Sequence, residues 1–165
     1  MSNGGPVFLF FVVLFVVYLI IGIRRTWQRR QYEKRFRSVQ LTGIDAMSGT
    51  EFESYCVRLL EDQGFRHVEM TPRSNDLGID IAAKRDGVWY EIQCKRKSAN
   101  VSRQAVSDVV AALQYCKCSR AMVITNNFFS SGAVTLAESS GCELIDRDEL
   151  GSWIQHFQGN QRKGS

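Results

Sequence analysis

The chain has 165 residues, 44% of them hydrophobic and 23% charged, a balance that supports one ordinary globular domain with an appendage. The formal net charge of +4 is unevenly spread: residues 1–43 hold seven Lys and Arg against Glu33 alone, and residues 44–165 hold 14 basic and 16 acidic side chains. Overall basicity is therefore excluded as a sign of nucleic-acid binding by the globular part.

Residues 1–6 form a short uncharged tail, and residues 7–23, VFLFFVVLFVVYLIIGI, contain no charge. Seventeen apolar residues at about 1.5 Å rise reach about 25 Å, the short end of the range for a transmembrane helix. A cleaved signal peptide would carry its basic residues before the apolar run. Here Arg24 and Arg25 follow it directly, and Arg29, Arg30, Lys34, Arg35 and Arg37 continue the series. The expectation is a single-pass anchor in the inner or plasma membrane, its amino terminus outside and everything after residue 24 in the cytoplasm. Residues 24–43 then read as a basic juxtamembrane linker, a topology signal that also touches anionic lipid.

The globular part spans residues 44–157, with 158–165 as a flexible tail. Ser48-Gly49-Thr50-Glu51 is a capping box that starts a helix with a Phe52, Cys56, Leu59, Leu60 stripe, ended by Gly64. His67–Thr71 reads as a strand and residues 72–78 as a loop rich in turn residues. Two apolar runs, 79–85 and 88–96, flank Asp86-Gly87, the strongest short signal for a two-residue hairpin. Ser102 starts a second helix with Val106, Val109, Val110 and Leu113 inward. Ala121–Thr125 is a strand buried on both faces. Ser130 or Ser131 opens a third helix closed by Gly141, Cys142–Ile145 is a strand, and Asp146 to Glu149 resembles a last capped start, with Leu150, Trp153 and Ile154 inward. The order α-β-β-β-α-β-α-β-α predicts a central mixed sheet flanked by helices.

The hairpin also predicts a polar cluster. With Asp86 and Gly87 as its loop, cross-strand partners have residue numbers summing to 173, so Asp80 faces Gln93. Lys95 points to the same face, and the three groups gather within roughly 5–8 Å. Ile79, Ile81, Ala83, Val88, Tyr90, Ile92 and Cys94 form the apolar opposite face. Asp80, Gln93 and the Cys94 backbone carbonyl are hard oxygen donors suited to Mg²⁺, and Lys95 can position a water or stabilise charge on a pentavalent phosphate. A helix packed across that face adds a second carboxylate, for which Glu53 is the candidate. Glu91 shares the face and can supplement Gln93. Asp76 reads as a turn former. The plain alternative is a surface hairpin that alternates polar with apolar.

Cys56, Cys94, Cys116, Cys118 and Cys142 fit a reducing compartment better than a disulfide framework, and Cys116-x-Cys118 lacks the second spaced pair of a zinc site. His67 and His156 have no ligand spacing and read as structural or surface residues.

The same residues carry a family resemblance. SGTEFE (48–53), RSNDLGIDI (73–81), EIQCKR (91–96), VITN (123–126) and LIDRDEL (144–150) stand in an order that closely resembles the Mrr-like catalytic domain of the PD-(D/E)xK restriction endonuclease superfamily. The resemblance implies a restriction-endonuclease-like α/β fold over about residues 44–157. It implies Asp80 as metal-binding residue, Gln93 where the superfamily usually has a carboxylate, Lys95 as catalytic lysine and Glu53 as the helix-borne acid. Mg²⁺, with Mn²⁺ as substitute, is the implied cofactor and DNA the implied partner. Gln93 removes one negative charge from the metal site, which raises the weight on Glu53.

Two features depart from restriction enzymes of this group: a membrane anchor is expected where they carry a separate DNA-reading domain, and the net charge of −2 over residues 44–165 does not favour DNA binding. Arg73, Arg96, Lys97 and Arg103 are the candidate phosphate contacts. Three functions follow for testing: a membrane-tethered metal-dependent endonuclease in restriction or DNA processing, a non-catalytic DNA-binding or scaffold module, and a junction or repair nuclease. A homodimer is one way to supply two sites for two strands.

Overall fold

The structure is a computed structural model that describes residues 15, 17–21, 23, 41–71, 79–115 and 118–163. The chain divides into two compact units, Met1–Ser38 and Val39–Ser165. In the first, the described residues are helical and exposed. Most of the expected span 7–23 lies outside the described residues, and among those described no helix is long and apolar enough to cross a membrane.

The second unit is a five-stranded sheet between two helical layers. After a four-residue helical segment, Leu41–Ile44, come α1 (Gly49–Asp62), β1 (Arg66–Met70), β2 (Ile81–Arg85), β3 (Val88–Lys95), α2 (Arg103–Ala112), β4 (Arg120–Thr125), α3 (Ser131–Ser140), β5 (Glu143–Ile145) and α4 (Arg147–Lys163). From α1 onward this is the expected element order. Strand order in space follows the chain, antiparallel from β1 to β3 and parallel from β3 to β5. The mixed sheet arises where the connection changes from a two-residue turn to crossover helices.

Local chemistry explains most boundaries. Ser48 accepts the Glu51 N–H while the Glu51 carboxylate accepts the Ser48 N–H at 2.9 Å, so the capping box forms. Asp86 and Gly87 both have positive φ, 52° and 84°, the conformation a type I′ hairpin requires. The hairpin register runs from Arg85 opposite Val88 to Ile81 opposite Ile92. Asp146 Oδ1 accepts the Asp148 and Glu149 amides and opens α4, and Gly141 closes α3 at φ 69°. Ser102 stands at the start of α2, yet its side chain makes no capping bond.

The last helix differs from expectation at its end. It continues to Lys163, through the stretch read as a flexible tail from residue 158. Asp62 on α1 holds this part down: it meets His156 Nδ1 at 2.8 Å and accepts from Asn160 Nδ2 at 3.1 Å.

The two sheet faces bury different layers. Val101, Ala105, Val106 and Val109 pack with Ala121, Val123, Ala133 and Ala137, so α2 and α3 cover the face of Ala121 and Val123. Parallel register places Glu91 and Gln93 beside Ala121 and Val123 on that face. The other face carries Ile92, Cys94, Met122 and Ile124 under α1 and α4. Four described cysteines, Cys56, Cys94, Cys118 and Cys142, are free thiols.

Candidate active site

Asp80 stands one residue before β2, held on three sides. Its N–H donates to Ile92 O at 3.1 Å, and its carbonyl accepts the Thr71 N–H at 3.0 Å. Its carboxylate Oδ2 accepts the Cys94 N–H at 2.7 Å. The backbone ladder ends at Ile81 and Ile92, one pair short of the expected Asp80–Gln93 pairing. The reason is chemical: the Asp80 side chain competes for the strand N–H and takes the place of a ladder bond. A 2.7 Å bond to a backbone donor fixes the direction of that carboxylate.

Around it, the sheet separates the other expected groups. Gln93 is buried to 1% exposure on the α2 side. Lys95, half-buried, follows two residues on and lines a cleft of about 420 Å³ together with Lys97, Asn100, Ser102, Gln104 and Asp108. Cys94 points the other way, toward Cys56 on α1. A hydrogen bond with Cys56 first, then burial and the nearby charges of Asp80 and Glu53, push its thiol well above the usual range. Both carboxylates therefore lie within electrostatic range of one buried side chain.

The helix bearing Glu53 packs on the Cys94 face, where a position across the Gln93 face was expected. Its stripe of Phe52, Cys56 and Leu59 is fully buried and can only be satisfied by the apolar side of the hairpin. Glu53 consequently sits on a helix that covers the face opposite Gln93.

Glu91 does not join the cluster. It is 5% exposed, and its Oε1 accepts the Cys118 thiol at 3.0 Å. Two residues of strand, about 7 Å, separate it from Gln93.

The basic candidates also divide. Arg96 donates Nη1 to the Asp45 carbonyl at 2.9 Å, so part of its guanidinium serves the fold. Lys97 and Arg103 are exposed at the cleft and at the first residue of α2. Arg73 and Asp76 lie outside the described residues.

The sequence reading missed a polar network behind Lys95. Asp45 holds Arg147 at 2.8 and 2.9 Å, a bidentate pair, and accepts Asn126 Nδ2 at 2.8 Å. Arg147 also donates to the Asn126 carbonyl at 2.6 Å. The Arg147 bonds hold the Asp45 carboxyl below its ordinary value, against the opposing effect of burial. The partners are up to 102 residues apart, and no spacing rule links them.

Among the described residues no three His, Cys, Asp or Glu side chains cluster as a metal site. The donors at hand are of another kind: a fixed carboxylate, a buried amide and a backbone carbonyl. In an extended strand one residue's N–H and C=O point to the same side, so the Cys94 carbonyl opens toward Asp80 as its amide does. A small number of carboxylates with neutral oxygens fits a hard divalent cation such as Mg²⁺.

The comparisons agree with this architecture. A family model described as a restriction endonuclease, Mrr_cat, matches residues 44–154. No curated protein matches the chain. Among solved structures, the chain resembles the protein of unknown function AF1548 at 23% identity and a TM-score of 0.51, covering 59% of this chain and 62% of that one. It also resembles the MspJI restriction endonuclease in complex with a 27-mer oligonucleotide, at 20% identity and a TM-score of 0.55, covering 69% of this chain and 29% of that one. The chain thus spans less than two thirds of each of these proteins, and at such identities the likeness is one of fold. With the family match over most of its length, the chain belongs to the Mrr_cat restriction endonuclease family and carries a nuclease-type domain at residues 44–154.

Proposed function

We propose that this protein is a Mg²⁺-dependent DNA endonuclease, tethered to a membrane by residues 7–23 with the nuclease domain in the cytoplasm, acting in DNA restriction or processing. The observation that carries the catalytic reading is the Asp80 carboxylate fixed on the Cys94 amide at 2.7 Å, beside Gln93 and one residue from Lys95. Family membership and the oligonucleotide in the MspJI structure support DNA as substrate. The anchor rests on the uncharged run and the arginines that follow it.

In this reading Asp80, the Gln93 side-chain oxygen and the Cys94 carbonyl hold the cation, with Glu53 adding a second negative charge from the α1 side. Bound there, Mg²⁺ supplies Lewis acidity and a more acidic water. Lys95 orients the attacking water and offsets charge on the phosphate as it becomes pentavalent. Lys97 and Arg103 hold neighbouring phosphates, with Arg73 and Arg96 as further contacts.

The full chain in detergent, incubated with supercoiled plasmid and Mg²⁺ or Mn²⁺, is expected to nick it. Asp80→Asn and Lys95→Ala are expected to be inactive, and EDTA to stop the wild type. Equal nicking by all three proteins, or none by any, rejects the reading. Metal-independent retention of DNA without cleavage would instead favour a binding module.

A further inference from the structure

Lys95 is the last residue of β3, and the chain from 96 to 100 is exposed and without regular structure. Such a segment does not hold a lysine in place by itself. Two consecutive side chains at the end of β4 grip it instead. Thr125, fully buried, donates its hydroxyl to the Lys95 carbonyl at 2.6 Å. Asn126, 3% exposed, accepts the Lys97 N–H on its Oδ1 at 2.7 Å.

Asn126 is itself locked. Its Nδ2 donates to Asp45 Oδ1 at 2.8 Å, so both ends of the amide are used and its orientation is defined. Asp45 is in turn anchored by Arg147, and the intervening Arg96 reaches the Asp45 carbonyl. The turn that carries Lys95 and Lys97 into one cleft is thus fixed from behind by a polar relay in which Asn126 is buried and Asp45 lies at the surface.

We infer that Asn126 is a positioning residue for the cleavage reaction: through the Lys97 amide it sets the turn that aims Lys95 and Lys97 into their shared cleft. The inference rests on the nuclease reading above. Asn126 touches neither substrate nor metal in this role, and what it supplies is a backbone acceptor at one point.

The two halves of the amide can be separated. Asn126→Asp keeps an acceptor for the Lys97 N–H but sets a carboxylate against Asp45. Asn126→Ala removes the acceptor and adds no charge. Plasmid nicking by the full chain is measured at a temperature where circular dichroism shows every variant folded, alongside the melting midpoints. Asn126→Ala is expected to lose about 10- to 100-fold in kcat, the scale of a misplaced catalytic group. Asn126→Asp is expected to retain activity within about threefold while melting no higher than Asn126→Ala. Activity and stability then rank differently, which a merely structural role does not produce. If Asn126→Ala does not fold, Asn126→Leu fills similar volume without an acceptor and takes its place. Activities that simply follow the melting midpoints, or Asn126→Ala cutting within twofold of wild type, overturn the inference. A wild type that cuts nothing, with or without these changes, removes the nuclease reading and this inference with it.

Discussion

The two ends of the β2–β3 hairpin carry charge in opposite ways. At the turn end, Arg85 lies over the rings of Phe65 and Tyr90, at 4.5 and 5.2 Å, and pairs with Glu143 at 3.0 Å. The Tyr90 hydroxyl donates to the same carboxylate at 2.9 Å. Burial lowers the Arg85 pKa, but the hydrogen bond it donates to the Tyr90 hydroxyl and the Glu143 charge outweigh this and raise it. At the open end, the Asp80 carboxylate is fixed on the Cys94 amide at 2.7 Å, Gln93 is buried, and Lys95 lines a cleft. One end closes its charges into a stacked, mutually satisfied cluster. The other end uses a carboxylate on a single backbone amide and leaves a lysine at the wall of a cleft.

The contrast can be broken from either side. Lys95→Ala is expected to reduce nicking by about 10²–10⁴-fold, the range for loss of a proton-handling group, while the melting midpoint stays nearly unchanged. Phe65→Ala, at the turn end, should do the reverse. Removing a ring that is 1% exposed costs about 3–5 kcal/mol, read by urea denaturation, and leaves cleavage per folded molecule intact. Parallel loss of stability and of specific activity in either variant would erase the distinction between the ends.

Gly87→Val is expected to have a smaller effect, about 1–2 kcal/mol, because φ is 84° at that position. If the register depends on the turn, the cost also appears as slower refolding. Urea midpoints together with stopped-flow kinetics check this.

The smallest effect is in pH. Asp45 is held below the ordinary carboxylate value chiefly by Arg147, so its stabilising contribution is present above the unfolded value of about 3.9 and is lost as pH falls through the lower folded one. Melting midpoints of the wild type should therefore fall more steeply below about pH 4 than those of Asp45→Asn. Identical acid limbs would show that the Arg147 pair adds nothing to stability.

Much of this fold was legible because its signals are local. The Ser48–Glu51 box, the Asp86-Gly87 turn and the Ser130, Gly141 and Asp146 caps each act within four residues, where backbone stereochemistry decides the outcome. The hairpin register follows from its turn, and so the pairing from Arg85–Val88 to Ile81–Ile92 was legible as well.

What the chain could not reveal by itself depends on packing between distant segments. Which face α1 covers was settled by the apolar side of the hairpin, and that put Glu53 across the sheet from Gln93. The diversion of Glu91 to Cys118, the Arg85–Glu143 pair and the Asp45–Asn126–Arg147 network required strands and helices to meet first. Local sequence chose the polar groups at the open end of the hairpin. Only the tertiary structure decided what holds them there, because a hydrogen bond between residues a hundred positions apart has no local signature.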